Sequence, residues 1–372
     1  MKDTKRTLNK IVVIGPVYPF KGGISHYTGL LVRALKESCE VHTVSYSMQY
    51  PRILFKKEQR DYDNKSFKID DAKYLINTAN PFNILKCAGI INKLDADLVI
   101  IQWWHPYFSP CYNILAKRLK TDVMFVCHNV FPHERFPFDR ALTRSVLKKG
   151  DYFILHSSKE ADELLSIVPD AKFAVNMHPT YSAFKMDENA DIPEEKHDGI
   201  RLLFFGFVRP YKGLKVMLKA MELLPEVVKL DIVGDFGGKR EEYDALIDEY
   251  KIGERINIRD GYVPDKEVQV YFKRCDAVVL PYIEATQSGI AQIAFGFEKP
   301  VIATTAGGLS EVVTDGKTGV LCSVNDPESL AEAVKRFAAL RNEENFAENI
   351  RKDSKRFSWE HMTETIGKLY AK

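Results

Sequence analysis

Two cations three residues apart are the first chemistry in this sequence. Arg209 and Lys212 lie in Gly206-Phe207-Val208-Arg209-Pro210-Tyr211-Lys212-Gly213, after an apolar run and before a helix-length segment. An arginine grips two oxygens at once and a lysine acts as a point charge, so the pair suits a pyrophosphate beside a helix N-terminus. A second such turn lies near the start, where Ile-Val-Val-Ile-Gly runs into Lys21-Gly22-Gly23-Ile24-Ser25-His26. A glycine pair there lets backbone N–H groups approach an anion. It is not the GxGxxG fingerprint, so a nicotinamide or flavin site is not supported. In a third cluster an apolar run ends at Pro281, and Thr286-Gln287-Ser288-Gly289 opens a helix. Its serine hydroxyl and first N–H groups face the carboxyl end of the preceding strand, where open α/β sheets bind ligands. Gly307-Gly308 follows the next apolar run in the same way.

Short Val/Ile/Leu/Phe runs must position these loops. Strands are predicted over residues 10–14, 97–102, 122–128, 152–156 and 172–176, then 201–205, 229–233, 255–258, 277–280 and 301–303. Continuous apolar runs of this length suit strands buried on both faces of a parallel sheet. Helix-length segments alternate with them, among them 25–36, 81–93, 213–224, 241–251, 266–274 and 327–340. The alternation predicts βαβ units in a doubly wound α/β architecture. Residues 185–199 are acidic, polar and poor in large apolar groups, and read as a linker between two such domains. The polar stretch 56–71 reads as a surface excursion of the first.

In order and spacing, these motifs resemble the retaining GT-B glycosyltransferases of family 4. The resemblance rests on the Lys-Gly-Gly-Ile loop, Cys127-His128-Asn129, and Gly206…Arg209…Lys212-Gly213. It also rests on Ser288-Gly289, the run from Pro300 to Glu311, and Phe357-Ser358-Trp359-Glu360. It covers nearly the whole chain and implies two Rossmann-like domains facing each other across a cleft. The implied acceptor-side domain spans residues 1–190 and the nucleotide-sugar domain 191–351, with a helix over 352–372 returning to the first. By the same resemblance, Gly22 and Gly23 face the donor diphosphate. Arg209 and Lys212 neutralise it as the sugar leaves, in place of the metal that a DxD motif would hold. No metal or other cofactor is implied, and Asp61-Tyr62-Asp63 and Asp95-Ala96-Asp97 are read as incidental. Gly206 and the backbone of Tyr262 and Val263 match donor-binding positions, and His128 matches a histidine that contacts the transferred sugar. Trp103, Trp104, His105 and Tyr107, with His133 and Glu134, are expected on the acceptor side.

One departure stands out. The family carries two glutamates in the third cluster, and their places fall here on Ala285 and Ile293, or, shifted by one residue, on Glu284 and Gln292. Gln287, Ser288 and Gly289 complete the donor set, and Gln292 is left to bond a ribose as a neutral group. Glu311 matches a recurrent acid or else caps its own helix. The expected reaction is transfer of a hexose-type sugar from a nucleotide sugar to a glycan or lipid-linked acceptor in cell-surface polysaccharide biosynthesis. A non-catalytic nucleotide-sugar-binding subunit, or an epimerase on the same scaffold, is the alternative.

Composition fits this setting. A chain of 372 residues suits two domains. The formal charge of +2 argues against general nucleic-acid binding. Residues 1–60 hold eleven Lys or Arg against four Asp or Glu, which would favour peripheral contact with an anionic membrane. No apolar run approaches the ~20 residues that span a bilayer, and the charged first residues do not read as a secretory signal. The cysteines are widely spaced, without a CxxC pair, and fit free thiols in the cytoplasm, the expected location.

Overall fold

The computed structural model describes residues 6–55, 58–62, 65–132, 134–181, 184 and 199–372. They form two compact units. One comprises Met1–Met177 with Ser358–Lys372, and the other His178–Phe357.

The first unit is built on seven strands: β1 (Lys10–Ile14), β2 (Glu40–Met48), β3 (Lys73–Asn77), β4 (Leu98–Trp103), β5 (Asp122–Cys127), β6 (Tyr152–Leu155) and β7 (Phe173–Val175). All pairs are parallel, in the order β3-β2-β1-β4-β5-β6-β7. The helices α1 (Gly23–Lys36), α2 (Pro81–Asn92), α3 (Ser109–Arg118), α4 (Asp139–Leu147) and α5 (Ser158–Leu165) make the connections. β4 is LVIIQW, buried along its whole length, as a central parallel strand requires. Alternate residues of the sheet, such as Val99, Ile101, Phe125, Cys127 and Phe153, build the main core with α2, α3 and α4 residues.

The second unit carries β8 (Ile200–Phe205), β9 (Val228–Gly234), β10 (Ile256–Asp260), β11 (Ala277–Leu280), β12 (Val301–Thr304) and β13 (Gly319–Cys322). Their order is β10-β9-β8-β11-β12-β13, again parallel throughout. Its helices are α6 (Leu214–Glu222), α7 (Arg240–Glu249), α8 (Asp265–Arg274), α9 (Gly289–Gly296), α10 (Leu309–Val312), α11 (Pro327–Leu340) and α12 (Phe346–Asp353). The last helix, α13 (Trp359–Tyr370), packs on the first unit. There the Tyr27 hydroxyl meets the Met362 sulfur, Trp359 lies edge-on to Tyr27, and Thr365 donates to Asn176.

The strands β2, β3 and β13 are absent from the sequence reading. In β2 the sequence EVHTVSYSM mixes hydroxyls into the apolar run, yet Thr43 and Ser45 are buried. The structural seams fall at Met177/His178 and Phe357/Ser358, where the sequence reading puts them at 190/191 and 351/352. His178 bonds Tyr181, Thr180 donates to the Phe357 carbonyl, and Arg356 donates to the carbonyls of Glu311 and Val312. Those bonds hold both short segments to the second unit. Residues 185–198 of the expected linker lie outside the described residues. The six cysteines are free thiols, five of them buried. Among the described residues, no helix is long and apolar enough to cross a membrane.

Candidate active site

In each unit the strand order reverses beside the first strand, so β1 meets β4 and β8 meets β11. A crevice opens at the carboxyl ends of such a pair, and ligands bind there in doubly wound sheets.

In the second unit, β8 ends at Gly206, whose φ of 100° suits glycine. A side-chain carbon on Gly206 would stand 3.3 Å from the Lys212 Nζ, so the ammonium hangs directly over this glycine. Arg209 precedes the single 3₁₀ turn Pro210–Lys212, and Gly213 closes that turn at φ 68°. A side chain on Gly213 would overlap the Pro281 carbonyl oxygen at the end of β11. The Ile283 N–H donates to the Tyr211 carbonyl at 2.7 Å. The two strand ends are thereby locked together around Lys212.

Lys212 is buried, and Arg209 on the same loop is exposed. Burial, helped by the charge of Arg209, pulls the Lys212 pKa down to about 8. The ammonium lies 5.6 Å from the centre of the Tyr282 ring, whose negative face suits a cation. Burial raises the Tyr282 pKa and keeps it a phenol. That phenol accepts from the Ser288 hydroxyl at 3.5 Å, and Ser288 caps α9 by accepting from the Ala291 N–H. The cap explains why Thr-Gln-Ser-Gly starts the helix. Ile290, one residue beyond Gly289, lies near Gly206. The structure therefore assembles Gly206, Lys212, Ser288 and Gly289 around the β8–β11 crevice, with Tyr282 as a member that the sequence reading missed.

Ala285 and Ile293 are buried apolar residues, and Glu284 is exposed. Gln292 is fully buried one turn after Ser288, with neither amide atom partnered among the described residues. Gln287 is half-buried, with its carbonyl oxygen likewise unpartnered. Tyr262 is half-buried and Val263 buried, just after Gly261 at the end of β10. Glu311 sits in the short α10 with its carbonyl engaged by Arg356.

In the first unit, Gly22 has a φ of 102° and open space where a side chain would lie, and α1 has no side-chain cap. His128 is buried just beyond β5, held by its N–H to the Trp103 carbonyl at 2.8 Å. Its ring meets Tyr27 edge-on and lies 5.7 Å from the ring of His156. Burial pulls the His156 pKa down to about 4, so that imidazole is neutral at physiological pH.

The acceptor-side expectations need one correction. Trp103 does not present its ring to a ligand: it is fully buried against Tyr112, and its indole N–H donates to the Val130 carbonyl. Strand alternation decides this, because Trp103 shares the core-facing side with Ile101. His105 is half-buried and accepts from the Tyr107 N–H, capping a 3₁₀ turn; burial lowers its pKa. Trp104 is half-buried and donates to the Tyr50 hydroxyl. Glu134 is exposed. His133 and Asp63 lie outside the described residues.

Two Rossmann-like units with polar loops at their switch points define the GT-B class. Residues 21–175 match the family model described as Glycosyltransferase Family 4, and residues 185–356 match Glycosyl transferases group 1. The chain belongs to this family and is a glycosyltransferase. It is 26% identical to an uncharacterized glycosyltransferase of Methanocaldococcus jannaschii, over 97% of each chain. It is 24% identical to the lipopolysaccharide 1,2-N-acetylglucosaminetransferase of Salmonella typhimurium, over 89% of this chain and 83% of that one. Its fold matches that of Anabaena HepE, solved with UDP and glucose, at a TM-score of 0.74 and 15% identity, over 97% of this chain and 98% of the other.

Proposed function

We propose that this enzyme moves a hexose-type sugar, with retention, from a nucleoside-diphosphate sugar to a glycan or lipid-linked acceptor in surface-polysaccharide assembly. The observation that carries the reading is the Lys212 ammonium, buried over Gly206 at the β8–β11 crevice with Arg209 three residues before it. A buried ammonium facing no carboxylate in its own loop is a poor stability device and a good anion site. The structural match to an enzyme solved with UDP and glucose supports a nucleotide-sugar donor. The Salmonella relative's name supports a lipopolysaccharide-type acceptor.

On this reading Lys212 and Arg209 take up the charge that grows on the diphosphate as the glycosidic bond breaks. The N–H groups that open α9 add to that stabilisation. The backbone at Tyr262 and Val263 meets the base, and Gln292 meets the ribose as a neutral partner. Gly22 and Gly23 contribute N–H groups, and His128 meets the transferred sugar. The acceptor hydroxyl attacks the face that the diphosphate leaves and passes its proton to the departing phosphate oxygen, which gives retention without a covalent intermediate. The two cations do the work of a metal, so activity should survive EDTA.

The test is a thermal-shift screen of UDP-, GDP- and ADP-sugars. A donor that binds only the folded enzyme raises its Tm by linkage. Lys212→Ala should abolish that rise, and NMR of the product should show the donor's anomeric configuration. An inverted product, or a trapped glycosyl-enzyme, would defeat the mechanism.

We also propose peripheral contact with an anionic membrane. Ile53 is 84% exposed, Leu54 and Phe55 are exposed beside it, and Arg52 adjoins them. Phe82 and Phe138, 84% and 81% exposed, lie in segments that follow the carboxyl ends of the parallel strands β3 and β5. Apolar tips flanked by cations suit an anionic interface. Vesicles rich in phosphatidylglycerol should sediment the protein at low salt, and Ile53→Ser with Leu54→Ser should release it. Failure of the native enzyme to sediment would remove membrane contact from the proposal.

A further inference from the structure

Among the apolar residues of β4 stands one polar side chain, Gln102, and it is fully buried. It points away from the main core, to the face that also carries His128 and His156 beneath α1. Its Oε1 lies 2.8 Å from the His128 Nε2. Its Nε2 has no partner among the described residues. A half-satisfied buried amide is unfavourable, and a methionine would fill the same space without one. Stability therefore does not account for a glutamine here.

The backbone makes room for it. A side-chain carbon on Gly15, just beyond β1, would stand 2.6 Å from the Gln102 Cγ and 3.0 Å from the Thr28 hydroxyl. Only a glycine lets β1, α1 and Gln102 come this close. The register Gln102↔Val126 and Trp103↔Cys127 then sets His128 beside the amide, one residue past the last pair.

We infer that Gln102 is a positioning residue that sets the tautomer and ring orientation of His128. With the amide oxygen turned to the ring, a group that cannot donate, the proton of the pair sits on His128 Nε2. In the neutral ring, Nδ1 is then the acceptor nitrogen, the one suited to receive a sugar hydroxyl. The edge-on ring of Tyr27 at 4.6 Å holds the same orientation from the helix side. This inference rests on the reading of His128 as the residue that meets the transferred sugar.

The experiment has two arms. Long-range ¹H–¹⁵N NMR of the native enzyme, with His128→Gln used to assign the signals, should show the His128 Nε2–H tautomer. Gln102→Met should mix the tautomers and lower kcat on the order of tenfold, with little change in the KM for the donor. A native Nδ1–H tautomer overturns the inference. So does an unchanged kcat in Gln102→Met while His128→Ala is impaired. If His128→Ala transfers sugar at the native rate, the assignment of His128 itself fails instead.

Discussion

The two switch points of this enzyme share a strand order and differ in charge. Around β1–β4 the buried polar groups include Gln102, His128 and, beyond β6, His156, which is held neutral. At β8–β11 the buried polar groups include an ammonium, Lys212, with Arg209 beside it on the loop. Both places bury a base, and burial lowers the pKa of each. The difference lies in where each starts. A histidine lowered from 6.5 to about 4 is uncharged at neutral pH, and a lysine lowered from 10.5 to about 8 remains charged. On the proposed function, the first crevice would take neutral hydroxyls and the second a diphosphate. Topology offers a site, and side chains decide which charge it accepts.

Lys212→Ala should break the contrast most severely, lowering kcat by about 10²–10³-fold, in line with loss of a preorganised charge at a leaving group. A single-turnover assay with saturating donor reads it, and a loss under tenfold would put the leaving-group charge elsewhere. Gly213→Ala should follow, because the new carbon meets backbone at Pro281 and φ is positive. A destabilisation of about 3 kcal/mol or more is expected in urea melts. Gly15→Ala meets only side chains, so about 1–3 kcal/mol is expected there. Reversal of that order would mean the β8–β11 lock is softer than its geometry.

Proton linkage separates the two sites further. Between pH 6.5 and about 4 the unfolded chain protonates His156 and the folded one does not. The stability from that residue is thus present above 6.5 and lost as pH falls. Between about 8 and 10.5 the unfolded chain keeps the Lys212 proton and the folded one releases it. The penalty of the buried charge thus lifts as pH rises through 8. Donor-free enzyme should therefore gain stability from pH 8 to 9.5 while kcat/KM falls, and Lys212→Met should flatten that gain. His156→Gln should flatten the acid loss. Parallel behaviour of stability and kcat/KM above pH 8 would contradict the role of the charged lysine. The smallest effect is expected from Ser288→Ala, about 1 kcal/mol for a lost helix cap, with a modest rise in donor KM.

Much of this was legible in the linear chain. Fully buried strands such as β4 and β11 announce themselves as apolar runs, and the glycine-bearing loops mark the turns that follow. The strand β2 was hidden because buried Thr43 and Ser45 imitate a polar surface pattern. The seam was displaced because the acidic stretch looks like a linker, whereas the bonds of His178, Thr180 and Arg356 commit their segments earlier and later in sequence. Trp103 was misplaced because aromatic clustering does not reveal which face of a strand a ring takes. Gln102 did carry a signal, as the sole polar residue of LVIIQW. Its partner is a strand away, so its purpose could not be read locally.

The sequence by itself determined the doubly wound class, the glycine-bearing loops at the strand ends and the pair of cations. Those follow from local periodicity and from residue types whose chemistry is intrinsic. The tertiary structure decided which side chains are buried together: Lys212 over Gly206 beside Tyr282, and Gln102 against His128 where Gly15 leaves room. The physical reason is that burial and proximity are properties of strand pairing. Pairing between β8 and β11, or β4 and β5, joins residues that no local pattern connects.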